Sequence, residues 1–131
     1  MDIYDSRILE LRDWYYVPNK PKVKMSKGEY KLYLFLQKKN FNFVYQYRHK
    51  TLKHKKSLAI DFYVIYKGRK IAIEFNGRQH YYQVSRFEDL IVIQARDQSK
   101  SIWCQNNGVD LLVIRFDQIN QIDQILSQYF N

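Results

Sequence analysis

Residues 58–75 constrain the fold of this chain more than any other stretch. Two apolar runs, Leu58–Ile65 and Lys70–Phe75, flank Lys67-Gly68, a dipeptide suited to a two-residue hairpin turn. With that turn Ile60 faces Phe75, Phe62 faces Ile73 and Val64 faces Ile71, all on one side of the sheet. A slip of one residue sets core positions against polar ones, so the pattern specifies the register. The same register sets Asp61 directly opposite Glu74 on the other side, with Ala59, Tyr63, Ala72 and Asn76 nearby. Like charges directly opposed across strands are destabilising, and carboxylates within roughly 5 Å do not both ionise comfortably at neutral pH unless a cation lies between them. Hard oxygen donors with no paired Cys or His favour Mg²⁺, with Mn²⁺ as a substitute, over zinc. The competing reading is a lysine partner for one carboxylate, either Lys70 or a lysine from elsewhere.

The chain has 131 residues, 46% of them hydrophobic and 17% aromatic, which suits one folded domain with a single core. Cys104 is the sole cysteine, so no internal disulfide and no zinc-type Cys pair exists. No apolar run approaches the roughly 18 residues of a membrane span, and no secretory pattern opens the sequence. The expectation is an intracellular, cytoplasmic protein, associated with the nucleoid in a bacterial or phage setting. The abundance of Lys, Asn, Tyr, Ile and Gln suits an AT-rich genome such as that of a mobile element.

Residues 14–100 carry 19 Lys and Arg against 6 Asp and Glu, while the flanks are net acidic. A concentrated positive field on so small a body is the footprint of a polyanion binder, nucleic acid first. The densest stretch, Arg48 to Lys56, reads as a basic loop in which Arg48, Lys50, Lys53, Lys55 and Lys56 grip backbone phosphates. Its histidines, His49 and His54, read as polar members of a solvated run.

Pro18-Asn19-Lys20-Pro21 closes an N-terminal arm, residues 1–25, in which 3–13 suit a short helix followed by the aromatic Trp14-Tyr15-Tyr16. This arm would pack on the body or on a second copy, giving a homodimer. Residues 26–131 form the domain proper. Ser26 and Glu29 fit a capping box for a helix whose Leu32, Tyr33 and Leu36 share Glu29's face and which Asn40 ends. Phe43–Tyr47 reads as a strand before the hairpin. A helix starting between Arg86 and Ile91 stops at Asn106-Asn107-Gly108, and a strand over Asp110–Phe116 precedes a last amphipathic helix. The order is α-β-β-β-α-β-α, an α/β layout with a mixed β-sheet flanked by helices.

Two further features lie near the carboxylates. His80 falls just past Glu74, where it would act as a general base, hold the attacking water or contact phosphate, with Gln79 beside it to orient water. On a helical wheel Leu90, Ile93, Asp97, Lys100 and Cys104 share one stripe, so Asp97 and Lys100 point where apolar residues should. Either they form an i,i+3 ion pair, or Lys100 reaches the carboxylates and stabilises charge on a phosphate. Arg96 sits at the edge of the stripe, within reach of a DNA backbone.

Asp61-Phe62, then Glu74-Phe75-Asn76-Gly77-Arg78-Gln79-His80-Tyr81, then Arg96-Asp97-Gln98-Ser99-Lys100 and Cys104-Gln105-Asn106-Asn107-Gly108 resemble the PD-(D/E)XK nuclease superfamily. Within it, the pattern is similar to small nucleases related to the very-short-patch repair endonucleases. The likeness covers about residues 26–116 and implies a restriction-endonuclease-like core and a Mg²⁺-dependent DNA endonuclease. It further implies a nicking or structure-specific enzyme in which water hydrolyses a phosphodiester to 5′-phosphate and 3′-hydroxyl. Asp61 and Glu74 would be the metal ligands and Glu29 an outer ligand or water holder. Arg78 would join the phosphate contacts. The superfamily's lysine falls on Asn76, so Lys100 supplies the charge, His80 takes over as base, or the chain is a DNA-binding module that has lost cleavage. A nuclease subunit of a larger recombination or transposition complex, or an RNA nuclease, is the remaining alternative.

Overall fold

The computed structural model describes residues 14–17 and 20–131, with side chains from Lys24 onward. The helix expected over residues 3–13 lies outside the described residues. Trp14–Val17 (β1) and Lys20–Ser26 (β2) pair antiparallel, so the aromatic run is a strand and Lys20-Pro21 opens the second one. Strand β2 leads directly into helix Lys27–Lys38 (α1), and Met25 is fully buried in the main core.

The capping box starts α1 as its sequence predicts. Ser26 Oγ accepts from the Glu29 N–H at 3.2 Å, and Glu29 Oε1 accepts from the Ser26 N–H at 2.9 Å. Leu32, Tyr33, Phe35 and Leu36 are buried, and Asn40, in the left-handed region at φ 57°, ends the turn that follows. Gly28 has a specific reason to lack a side chain, because a Cβ there would run into the Phe75 ring. The first turn of α1 thereby lies directly on the end of the carboxylate strand.

Strands Asn42–His54 (β3), Lys56–Tyr66 (β4), Arg69–Asn76 (β5) and Val109–Arg115 (β6) form a sheet in the order β3-β4-β5-β6. The first three run antiparallel and β6 runs parallel to β5, reached through helix Leu90–Asn106 (α2). A 3₁₀ turn over Phe116–Gln121 and helix Ile122–Tyr129 (α3) complete the chain. From α1 onward the element order is the expected one, and the sheet is mixed and flanked by helices. The Asp89 side chain caps α2 through the Ile91 N–H at 2.9 Å, which decides the start of a helix whose β-branched first turn also suits a strand. Gly108, at φ 66°, follows its end.

Two hydrophobic clusters cover the two sides of the sheet. Leu32 and Leu36 of α1, Leu126 of α3 and Phe62, Val64, Ile71, Ile73 and Ile114 of the sheet form the larger. Trp103 and Cys104 of α2 pack with Leu52, Leu58, Ile60, Ala72 and Val109 in the other. Each fully buried Leu, Ile or Phe contributes roughly 1.5–3 kcal/mol relative to exposure, so the sheet is fixed between α1/α3 and α2.

Lys67 and Gly68 have φ of 49° and 77°, as a type I′ turn requires, and the pairs Phe62–Ile73, Tyr63–Ala72 and Val64–Ile71 form in the expected register. The register stops at Phe62–Ile73. The expected pairing of Ile60 with Phe75 on one apolar side does not occur, because Ile60 belongs to the α2 cluster while Phe62 and Phe75 belong to the other. The β3–β4 ladder likewise pairs Tyr45 with Phe62 and Tyr47 with Ile60 but skips Gln46 and Asp61, and Gln46 has φ 57°. Alternation thus changes face at Asp61.

The segment expected as a basic loop is not a loop. It is the far end of the β3–β4 hairpin, closed around Lys55 at φ 63°. Leu52 is fully buried, Trp103 Nε1 donates to Thr51 Oγ1 at 2.8 Å, and His54 Nδ1 lies 3.0 Å from Ser99 Oγ. His49 stands 5.7 Å from the Trp103 ring. These two histidines are therefore partly buried links between hairpin and α2, not solvated members of a charge run.

Candidate metal and nuclease centre

Where β4 and β5 part, their carboxylates take the place of the ladder. The Asp61 N–H donates to Glu74 Oε2 at 2.6 Å, and the Phe75 N–H donates to Asp61 Oδ2 at 2.9 Å. Each acid thus satisfies a main-chain donor near the other, which a strand end buried from water demands. The opposed carboxylates are locked in place by the interruption of the sheet rather than by its continuation.

A third acid comes from α1. The Glu29 carboxyl, while capping its own helix, also shares a hydrogen bond with Asp61. The capping role of Glu29 is thus present, and the same carboxyl reaches the Asp61 side of the site. Burial raises the Glu29 pKa, and the charge of Glu74 adds to the rise against the hydrogen bonds from Ser26 and Asp61. Burial also holds Asp61 well above the ordinary carboxylate range, with Glu74 and Glu29 pushing further and Lys100 and the Phe75 N–H opposing. Tyr45, beside these acids, has its phenol pKa raised by burial and then by Glu29 and Asp61.

The cation on the site is Lys100. Its Nζ lies 2.6 Å from Glu74 Oε1, and the two side chains are only 15% and 6% exposed. Lys100 does not pair with Asp97 three residues earlier; among the salt bridges of the described residues, Lys70 takes no part. Burial lowers the lysine's pKa, but Glu74, Asp61 and Asp97 outweigh it and the net shift is upward, so Lys100 is an ammonium. Asp97 instead holds His80, with Asp97 Oδ2 2.7 Å from His80 Nδ1. An Nδ1–H donor there leaves Nε2 as the free ring nitrogen. Asn76 is buried, and its side-chain amide donates to the Tyr81 hydroxyl at 3.5 Å.

Asp61, Glu74, Glu29, Gln79, His80 and Lys100 line one cavity of 460 Å³. All six residues picked from sequence as catalytic are thus brought together. Gln79 folds back over Gly77, where a Cβ would strike its side-chain oxygen. The phosphate-gripping set is more scattered. Arg48 donates to Ser57 at 3.0 Å, and Lys50 and Lys53 are exposed on the hairpin. Lys55, Lys56 and Arg96 line a groove against α2. Arg78 lies over the Tyr82 and Phe116 rings at 5.1 and 5.3 Å, outside the lining of the cavity. Sequence reasoning did not find Ser26 and Tyr45 as neighbours of the site, nor Asp97 as the partner of His80. The inward stripe on α2 carries the signal for Asp97, whereas the sequence marks Ser26 as a helix cap alone.

Three carboxylates and one ammonium leave the cavity with excess negative charge when all are ionised, and the all-oxygen donor set suits a hard divalent cation. Among the described residues no three His, Cys, Asp or Glu side chains already converge as a ligand cage. Among the described residues no helix is long and apolar enough to cross a membrane. No protein-family model, curated protein or solved structure significantly matches the chain.

Proposed function

We propose that the chain is a metal-dependent DNA endonuclease of the PD-(D/E)XK type. The observation that carries this reading is the convergence of Asp61, Glu74 and Lys100, with the lysine supplied by α2 in place of Asn76. A buried ammonium beside two opposed acids is the charge arrangement that phosphodiester hydrolysis needs. The basic surface of the chain supports a polyanionic substrate.

Asp61 and Glu74 would hold the ion, and Mg²⁺ when bound would acidify a water and neutralise charge on the phosphate. Lys100 Nζ stabilises the negative charge that grows on the phosphate oxygens. His80, oriented by Asp97 through Nδ1, is placed to accept a proton from the attacking water or return one to the leaving oxygen at Nε2. Gln79 orients water by hydrogen bonding. Asp61 holds a proton that it shares with Glu29 and releases it when the site takes up positive charge.

One observation favours a second reading. Both oxygens of Glu74 are already engaged, one by the Asp61 N–H and one by Lys100. In a module that binds DNA without cutting it, Lys100 would be the permanent counter-ion. Incubation with supercoiled plasmid and a four-way junction, in Mg²⁺, Mn²⁺ or chelator, separates the two. The nuclease reading expects metal-dependent cutting that Asp61→Ala or Glu74→Ala abolishes. Binding with no cutting in any metal would replace it with the second reading.

A further inference from the structure

The catalytic cavity does not end at its carboxylates. On the far side of Asp61, His80 and Lys100, which line both, lies a second cavity of 290 Å³ between β4 and α2, which Gln46, Ala59, Arg96 and Asp97 help to line. Ser57, Leu58 and Arg96 are likewise shared with a third cavity, of 420 Å³, at the end of the β3–β4 hairpin. Its walls are Lys55 and Lys56 on the hairpin and Ile91, Val92 and Ala95 on α2. The three adjoin in a row as a trench whose hairpin wall is tied to α2 by the His54–Ser99 and Thr51–Trp103 hydrogen bonds.

The composition of the trench is unusual for a structural seam. Ile91 is 75% exposed and Val92 42%, apolar surface the core does not use. Lys55, Lys56 and Arg96 form no salt bridge among the described residues. Two acids also line the middle section, Asp97, held by His80, and Glu88. An apolar strip bordered by unpaired cations matches a ligand with flat apolar faces and regularly spaced anions. A base-paired duplex keeps its base faces stacked inside and has no use for such a strip, whereas an unpaired strand offers them. Cavities of this size fall at the lower end of the small-ligand range of roughly 300–1,000 Å³, enough for nucleotides taken one after another.

We propose that the trench holds a single nucleic-acid strand running from the scissile phosphate toward the hairpin end, so that the substrate is DNA whose strands are already parted beside the cut. This rests on the nuclease reading for what happens at the cavity, but the trench itself is a binding surface. Phosphates track along Arg96, Lys55 and Lys56 while bases lie on Ile91 and Val92.

Fluorescence anisotropy tests it on the full chain in chelator, so that nothing is cut. The probes are a labelled duplex and the same duplex ending in two non-complementary arms. The forked probe is expected to bind about tenfold more tightly than the duplex, with a log–log salt slope steeper by about two for three added phosphate contacts. The double variant Ile91→Glu/Lys56→Glu alters exposed positions, keeps the melting temperature and brings the affinity ratio close to one. Equal affinity for fork and duplex in the wild type overturns the proposal, as does a preference that survives the double variant. Failure of the nuclease reading is seen separately, as intact fork and duplex after Mg²⁺ or Mn²⁺ is supplied.

Discussion

Replacing Lys100 by methionine isolates the charge at the centre of the site, because the two side chains have similar length and volume. The lysine and Glu74 lie 2.6 Å apart and are 15% and 6% exposed, so neither is well solvated. Removing one member of a buried pair costs about 3–5 kcal/mol, since the other charge is left without compensation. Glu74 keeps its hydrogen bond from the Asp61 N–H, which sets the expectation at the lower end, about 3 kcal/mol. A chain of 131 residues unfolds with an entropy of roughly 0.28 kcal/mol per kelvin, so the melting temperature should fall by about 11 °C in chelator. Saturating Mg²⁺ should recover more of the lost stability in the variant than it adds to the wild type, because the ion takes over the role of the ammonium. Cleavage, in contrast, should stay down by about 10²- to 10³-fold with metal present, the usual loss for a removed transition-state electrostatic group. Scanning calorimetry with and without metal, paired with single-turnover cleavage, reads both effects. A melting temperature unchanged in chelator would refute the buried-pair argument, and full cleavage activity would refute the placement of Lys100 in the chemistry.

Three further substitutions probe separate parts of the account. The metal-free fold holds a proton on Asp61 more tightly than the unfolded chain does, so its contribution is present below the ordinary carboxylate pKa and is lost as pH rises through the raised value. Asp61→Asn should therefore melt higher than the wild type in chelator at neutral pH and show a flatter dependence between pH 4 and 8, while losing any metal-induced rise; a lower melting temperature across that range would contradict it. Gly28→Ala, which in an open helix would stabilise by up to about 1 kcal/mol, should instead destabilise by about 1–3 kcal/mol through the clash with Phe75, read by urea unfolding. Asp97→Asn weakens the contact that orients His80, and should lower single-turnover cleavage without lowering Mn²⁺ affinity; an unchanged rate would remove the orientation of His80 from the chemistry.

Much of the site was legible because it lies on regular elements. The turn chemistry at Lys67-Gly68 set the hairpin register as far as Phe62–Ile73, which brings Asp61 and Glu74 to the point where the ladder stops and each accepts from a main-chain N–H beside the other. The capping box located Glu29, and the polar interruption of the apolar stripe on α2 marked Asp97 and Lys100 as inward-facing. Pair arithmetic went wrong beyond Phe62, because it assumes a continuous ladder. Here two main-chain N–H groups prefer the carboxylates, and Ile60 crosses to the α2 side. The basic run hid a strand for a different reason. Its lysines mask the alternation that Leu52 reveals, and the apolar partner that stabilises it, Trp103, lies far along the chain on another element. The choice of His80 as the partner of Asp97 is a property of the packed sheet and helix, and no local pattern encodes it.

The claim on which all of this depends is that Asp61 and Glu74 together hold a divalent cation. Calorimetric titration of Mn²⁺ into the wild type, Asp61→Asn and Glu74→Gln measures it without reference to any substrate. Saturable binding by the wild type, stronger as pH rises because Asp61 must give up its proton, and abolished in both variants, is the expected result. Binding of equal strength in all three proteins, or none in any of them, would contradict the metal centre.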